Sequence, residues 1–537
     1  MKVSYNWLRN YLDFDLSVEQ LSKLLTDTGL EVEGVHKKED ITGGLEGLVI
    51  GKIIECVKHP DADRLHVTQV DVGKEILQIV CGAPNVKKEQ RVVVALVGST
   101  LYPSPDKPFK IKKAKIRGVH SAGMICAEDE IGLGKSHDGI MVLDKGKIGT
   151  PASTHFEIES DYQLEIGLTP NRCDAMGHIG VARDIKAFLN YHKKKELTLK
   201  LPENNVSKSD ESRNVIIEVK EPELCSKYIG ATIEGVKIGS SPVWMQKALR
   251  CIDIEPINNV VDITNYVMYE YGTPLHAFDL NHIDKKVTIK KAQKDTYFKT
   301  LDGINRRMNG EELMITSANR NLCIAGVYGG LESGVSTNTT GIFIESALFD
   351  TTSVRKTSKA HGLQTDASFR FERGVDPTFT ESAIERALSL ICKYAGGKIT
   401  MKPKSIRSEE REKTKIKLNI KCLIQRLGVD IETKDIVDIL ENLDFICKEC
   451  KNGHIEVYVP AYRRDVYREE DLMEEVLRIY GFNQVPIPKK WNISFQNKEY
   501  DNSDFIERKL SDFLVSNGFN EVINNSLSKE IIDDELK

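Results

Sequence analysis

The sequence has 537 residues, 40% of them hydrophobic and 29% charged, with a formal net charge of -5. That length exceeds what one hydrophobic core supports, so roughly three to five domains of about 100 to 200 residues are expected. The slight acidity excludes a global electrostatic pull toward nucleic acid or membrane, so any contact with a polyanion has to be local. The first residues, MKVSYNWLRNYLDFD, lack an apolar secretory core, and the longest purely apolar run, Val92 to Val97, is too short to span a bilayer. A cytoplasmic protein without a membrane partner is expected. The eleven cysteines have no framework spacing and are expected as reduced, packed thiols; Cys447 and Cys450, with His454 behind them, form a single C-x-x-C that lacks the second pair of a zinc site.

In chain order, Ser17 and Gln20 make a capping box, Leu21, Leu24 and Leu25 an apolar stripe, and Gly29 a stop, predicting a helix. A strand from Glu31 to Val35 should follow. From about residue 42 the period changes to short strands, LVIGKIIECV, RLHVTQVDVG, EILQIVCG and RVVVALVG, punctuated by Gly, Pro, Asn and Asp. Five or six such strands in residues 42–155 predict a small barrel. After Thr154 come a strand, a Pro-Asn turn and an amphipathic helix through Asn190. Residues 1–41 and 156–200 flank the barrel on either side. A lysine-rich stretch from His192 to Arg213 reads as a linker. Residues 214–400 alternate strands (NVIIEV, YIGATIEGV, GIFIESALF) with helices (SPVWMQKALRCI, ESAIERALSLICKYAGG), an α+β domain. Residues 405–485 carry helices at about 420–427 and 434–443, a strand IEVYVP and an acidic helix from Arg468, a winged-helix-like unit. Beyond PIPKKW, a helix from Ile506 to Asn517 and a strand EVINNSL open a further domain at 490–537 that is not completed.

Three sets of residues carry chemistry. In the barrel, the loop HPDADRLHV, with His59 and Asp63, and the loop from Ile116 to Gly134 occupy positions where a five-stranded barrel meets oligonucleotides. Beside them, Lys110, Lys112, Lys113, Lys115 and Arg117 can neutralise backbone phosphates; a solvated, lysine-blunted edge strand is the structural alternative. In the α+β domain, Glu345 sits on an otherwise apolar strand, an expensive inward charge unless it is partnered. Gly329 and Gly330 allow backbone to approach a ligand closely. Taken singly, His276 could merely bond a carbonyl, Thr264 and Asn265 cap a helix, and Thr365 with Asp366 shape a turn. In the last unit, Asp471, Glu474 and Glu475 fall at i, i+3 and i+4 of one helix with Asp465 just before it. Such carboxylates suit Mg²⁺ unless they are only an acidic first turn favoured by the helix dipole.

TNY, G-x-P-x-HAFD, GG-x-x-SGV, ESA and TDAS-x-R-x-ERGVDP occur in that order between Thr264 and Pro377. By these motifs the chain resembles the β subunits of bacterial phenylalanyl-tRNA synthetases over almost its whole length. The resemblance implies a multidomain α+β protein: an OB-fold tRNA-binding barrel inserted in an N-terminal α/β domain, a B3/B4 editing domain, a B5 domain and the start of a class II synthetase-like domain. The family continues through the rest of that domain and an anticodon-binding domain, so a chain cut short at its C-terminal end is expected. It further implies that Glu345 accepts a hydrogen bond from the phenolic hydroxyl of a mischarged tyrosine and that Pro274, Gly329 and Ala367 shape the ring pocket. Thr264, Asn265, His276 and Thr365 would surround the aminoacyl ester and the attacking water. Asp465, Asp471, Glu474 and Glu475 would hold Mg²⁺. The implied partners are tRNA(Phe) and an α subunit in an α2β2 ligase. Since the sequence shows no class II ATP motif, ligation of phenylalanine is expected from the α subunit. The alternatives are a non-catalytic tRNA-binding chaperone and a free-standing trans-editing hydrolase.

Overall fold

The computed structural model describes residues 1–103, 108–134, 136–158, 160–204, 209–318, 320–407, 414–450, 453–487, 490 and 503–527. Two units separate, residues 1–485 and 486–537.

After a short helix, Tyr5–Arg9, the first helix expected from the sequence forms where its caps demand. Val18–Asp27 starts at Ser17, whose hydroxyl accepts from Gln20 N–H while the Gln20 side chain accepts from Ser17 N–H. Leu21, Leu24 and Leu25 turn inward. The strand after it runs from Glu31 to Glu39, longer than expected, because it pairs along Ser160–Gly167. That strand also pairs with Lys2–Ser4, giving a three-stranded antiparallel sheet. The chain therefore leaves this sheet after Glu39 and rejoins it at Ser160. Between those points an antiparallel sheet is strung in the order Met124–Ile125, Arg91–Ala95, Leu48–His59, Ala62–Asp71, Ile76–Cys81, with Val142–Leu143 also on Arg91–Ala95. Its far edge curls back, since Ala122 N–H donates to Gln78 O (2.8 Å) and Val80 N–H to Ser121 Oγ (3.1 Å).

Two sheets build the centre. Leu275–Asp279, Gly341–Phe349, Cys225–Val236 and Gly396–Arg407 form a four-stranded antiparallel sheet. Alternation along these strands gives it two apolar faces. Ile229, Ala231, Ile233, Ala277, Ile342 and Ile344 share a core with the helices Val243–Cys251, Asn259–Tyr271 and Phe379–Tyr394. Tyr228, Phe278, Phe343 and Ala347 face the second sheet, Ile216–Val219, Lys286–Lys291, Leu313–Ser317, Arg320–Ile324 and Tyr328–Gly329. The last strand of the first sheet pairs as far as Arg407 with Lys227, so it runs past residue 400, where composition suggested a domain end. The lysine-rich stretch after His192 also lies on the body. Leu197 and Leu199 pack against the first core, and Lys200 N–H donates to Tyr11 O (2.8 Å).

The next segment folds as the helices Ile420–Leu427, Thr433–Asn442 and Glu469–Tyr480 against a three-stranded sheet. Two of its strands, Lys415–Asn419 and Ile446–Cys450, were not anticipated, although the first alternates exposed and buried positions; both are held by the middle strand His454–Tyr458. In the second unit a helix spans Ser503–Ser516, but EVINNSL is not a strand, and its Val522, Ile523 and Leu527 are exposed. β propensity alone does not make a strand without a ladder partner. No helix among the described residues is long and apolar enough to cross a membrane.

A buried ion network ties the first unit together. Arg478 donates to Glu475 (Nε to Oε1 3.0 Å, Nη2 to Oε2 2.7 Å), to Asp184 (3.3 Å) and to the Thr28 carbonyl (3.3 Å). Arg463 bridges Glu475 and Asp465, and Arg172 bridges Asp174 and Asp184. Burial would raise the carboxyl of Asp174, but Arg172 and Arg463 outweigh it and hold it at about 2; Arg478 and Arg463 likewise hold Glu475 well below its ordinary value. Because these values lie below those of the unfolded chain, the stabilisation is present above about pH 4 and is lost as pH falls toward 2. Arg478→Met should cost about 3–5 kcal/mol, because it strands buried carboxylates. Urea melts of the two proteins at neutral pH will measure the loss, and the gap between them should narrow when the melts are repeated toward pH 3.

Candidate functional site

Antiparallel register sets His276 directly opposite Glu345. Cross-strand partners share a face, and here that face carries Phe278 and Phe343, opposite each other in the same ladder and buried against the second sheet. Glu345 is 5% exposed. Burial pushes its carboxyl up to about 8, against the opposing pull of one hydrogen bond, from the Tyr228 hydroxyl to Oε2. Tyr228 is itself fully buried, two residues from Gly230, the partner of Glu345 on the neighbouring strand. Gly230 has a steric reason: a Cβ there would lie 2.4 Å from the Phe343 ring.

His276 lies edge-on to Phe278 (4.5 Å between ring centroids), and burial lowers its imidazole to about 4. It is neutral at physiological pH. Its Nε2 is buried without a hydrogen-bond partner among the described residues, a state that ordinarily signals a water or ligand. Gly329 makes that approach possible, since a Cβ at this position would lie 3.0 Å from His276 Cε1 and 3.3 Å from Nε2. Pro274 is buried two residues before His276, and Ala367 packs against the same core as Phe278.

Thr365 reaches this region from the other side. It caps the helix Asp366–Phe371, accepting from Ser368 N–H (3.0 Å) and donating to Val327 O (3.0 Å), two residues before Gly329. Its proton is committed to that carbonyl. Thr264 donates to Val261 O of its own helix (2.8 Å), and neighbouring Asn265 is half-buried on the same helix. Those two belong to the helix Asn259–Tyr271, which packs on the opposite face of the sheet. The structure thus gathers His276, Glu345 and Gly329 and links Thr365 to them through the backbone; Thr264 and Asn265 stand on the helix whose Tyr269 hydroxyl donates to Asp366, next to Thr365 (2.8 Å). Tyr228 was missed by sequence reasoning: it stands in YIGATIEGV as one more strand aromatic, and only pairing with Gly341–Phe349 brings it to Glu345.

The cations of the barrel region, Lys110, Lys112, Lys113, Lys115 and Arg117, are all exposed, and among the described residues none forms an ion pair; the Arg117 guanidinium donates to Asp61 O (3.3 Å). Asp63 is exposed as well. His59 is 5% exposed, and both ring nitrogens are in use: Nδ1 accepts from Asp61 N–H (3.0 Å) and Nε2 lies 3.2 Å from Ile116 O. It ties the two loops together and has no free nitrogen for a ligand.

The proposed magnesium ligands do not converge. Glu475 is saturated by Arg463 and Arg478, and Asp465 is bound by Arg463. Asp471 caps its own helix, accepting from Tyr467 N–H and Arg468 N–H, while Glu474 faces solvent. Among the described residues no group of three or more His, Cys, Asp or Glu is placed to hold a metal ion. Helical spacing fixes where carboxylates project, but here Arg463, before the helix, and Arg478, within it, supply the countercharge. As to zinc, the Cys450 side chain lies outside the described residues, and the thiol of Cys447 is half-buried and pushed up to about 12 by burial.

Three family models match the chain: a putative tRNA binding domain at residues 48–151, a B3/4 domain at 224–396 and a tRNA synthetase B5 domain at 416–482. They fall on the curled sheet, on most of the two central sheets and on the small three-stranded unit, and together define a tRNA-synthetase component of mixed α/β architecture. The chain is 44% identical to the phenylalanine–tRNA ligase β subunit of Bacteroides fragilis and 45% identical to that of Bacteroides thetaiotaomicron, over 100% of this chain and 66% of each relative. It therefore belongs to the family of phenylalanine–tRNA ligase β subunits, and it spans 66% of the length of these relatives. Among solved structures, an N-terminal fragment of the phenylalanyl-tRNA synthetase β subunit from Pyrococcus horikoshii is 19% identical, covering 60% of this chain and 87% of that one with a TM-score of 0.32.

Glu345 supplies a test of the site's electrostatics. Between about pH 4 and pH 8 the folded chain keeps a proton that the unfolded chain has lost, so the carboxyl weakens the fold progressively as pH rises through that window. Glu345→Gln keeps the shape and removes the titration. It should melt a few degrees higher than the unaltered chain at pH 8 and the same at pH 4, measured by calorimetry at both values.

Proposed function

We propose that this chain is the β-subunit portion of a phenylalanine–tRNA ligase and that its own reaction is hydrolysis of tyrosyl-tRNA(Phe) between the two central sheets. The observation that carries the reading is the pair of half-buried His276 and buried Glu345, opposite each other in one ladder, with an imidazole nitrogen that has no partner among the described residues on one and a tyrosine-anchored carboxyl on the other. Glu345 retains an oxygen for the phenol of the substrate, Gly329 with Pro274 and Ala367 gives the ring room, and Nε2 of His276 holds the attacking water. Water adds to the ester carbonyl, the bond to the terminal ribose oxygen breaks, and tyrosine and the free RNA hydroxyl leave. A base held at about 4 carries little of that proton at neutral pH. Orientation of the water is the larger contribution of His276.

In this reading the barrel region is an OB-fold inserted in the N-terminal α/β domain, and its five unpaired cations meet the tRNA backbone. The unit at 416–482 is winged-helix-like, and the last described helix begins a class II-like domain. Phenylalanine activation with ATP belongs to an α subunit, joined with this chain in an α2β2 assembly in the cytoplasm. Mg²⁺ is a cofactor of that complete reaction, and no step here passes through it.

Purified chain should deacylate tyrosyl-tRNA(Phe) and spare phenylalanyl-tRNA(Phe). Glu345→Ala should lose at least tenfold in kcat/KM, and Tyr228→Phe roughly tenfold, because each removes one hydrogen bond to a buried group. Equal rates for Glu345→Ala and the unaltered chain would sink the editing assignment. Salt-dependent tRNA binding with no hydrolysis by either would favour the chaperone instead, while full activity in a chain that never associates with an α subunit would favour a free-standing hydrolase.

A further inference from the structure

The ERGVDP motif contributes nothing to the site above, yet its Arg373 lines a cavity of about 660 Å³ with Pro170, Arg355, Lys359, Gln364 and Glu372. We propose that this cavity is a phosphodiester-binding site that seats the terminal backbone of the RNA strand bearing the ester. The proposal rests on the editing reading.

The lining has a simple sequence origin. On the helix Thr351–His361, Arg355, Ser358 and Lys359 stand at i, i+3 and i+4, and Gly362 follows at i+7 as its left-handed cap (φ 63°). One helix face therefore forms one wall. Arg355 and Lys359 lie about 6 Å apart along the axis; both are exposed, and among the described residues neither has a hydrogen-bond or ion-pair partner. On the opposite wall Arg373 lies flat on Phe369 (3.8 Å) and donates through Nη1 to Phe369 O (3.1 Å) and Glu372 (2.6 Å). Its Nε–H is buried without a partner. Glu372 is thus the one carboxylate in the lining and is already paired, leaving Arg355 and Lys359 uncompensated.

A solvated cationic helix face would be unremarkable on a convex surface. Here the cations wall a concave site that also contains a buried, unused donor. Guanidinium and ammonium donors that outnumber a single, already paired carboxylate select an anion, and two cations a helical turn apart suit consecutive phosphates better than a single small ion. Position favours the substrate's own strand. Gln364 of the lining precedes Thr365, Thr365 bonds Val327 O, and two residues on Gly329 abuts His276. A strand lying in this cavity ends beside the ester-cleaving groups.

The test compares two substrates on the full chain, tyrosyl-tRNA(Phe) and 3′-O-tyrosyl-adenosine, which has the ester but no phosphate. In the double variant Arg355→Gln with Lys359→Gln, KM for the tRNA should rise roughly tenfold with kcat kept, and the salt dependence should weaken by about 0.7 in log–log slope for each phosphate that is no longer neutralised. Hydrolysis of tyrosyl-adenosine should change less than twofold, and Arg355→Lys with Lys359→Arg should restore the KM. Unchanged KM and slope for the tRNA, or an equal loss on both substrates, would overturn the proposal. Should the unaltered chain hydrolyse neither substrate, the editing reading fails by itself. Fluorescence anisotropy with an uncharged acceptor-stem RNA then decides the cavity: weaker binding by the double variant supports it, and equal binding removes it.

Discussion

Arg463 and Arg478 close on Glu475 from two directions, and Arg478 also reaches Asp184, which Arg172 holds from its other side. Removing charges from water costs more than a single pair returns, so a buried ion pair is poor support for a fold unless each member has several partners. Here each has. Arg172 stands two residues from Pro170, which walls the cationic cavity, and the chain then passes through Met176, whose carbonyl accepts from Arg370 Nε (3.2 Å). Arg370 lies in the helix that Thr365 caps. The position of the site's outer wall thus follows from ion pairs made by a helix roughly a hundred residues further along the chain.

The same network explains how the acidic helix misleads. Read alone, Asp471, Glu474 and Glu475 are carboxylates in want of a cation, and a metal is the economical answer. Glu475 instead draws on arginines from before and within its own helix, and Asp471 spends its oxygens on backbone N–H groups at the helix start. A helical repeat shows which side chains neighbour one another; it carries no information about what the rest of the chain brings to meet them.

Local signals were read well where the chain itself satisfies them. The capping box at Ser17, the apolar alternation of GIFIESALF and the glycine-stopped helix Ile420–Leu427 all need only neighbours in sequence. What could not be read depends on pairing. Tyr228 reaches Glu345 only through a strand more than a hundred residues away, Lys415–Asn419 is a strand because His454–Tyr458 holds it, and EVINNSL has the composition of a strand but no ladder. His59 has the look of a ligand residue, and it is the hairpin that uses its two nitrogens. The candidate site was legible as a set of residue types in order. Which of them meet was not, because cross-strand register decides it, as it does for His276 and Glu345.

In the proposed editing reaction, discrimination then reduces to the protonation of one carboxyl, that of Glu345. An apolar pocket gains little from excluding a hydroxyl, since phenylalanine and tyrosine rings fit such walls almost equally. Glu345, kept protonated by burial, offers a donor as well as an acceptor, and Tyr228 already occupies one oxygen. A ring carrying a hydroxyl can complete that set of hydrogen bonds. One without it leaves a buried polar group short by one partner, at a cost of about 1–3 kcal/mol. Because the carboxyl is neutral, no charge has to be stripped of water when the ring enters, so the penalty falls on the wrong ring alone.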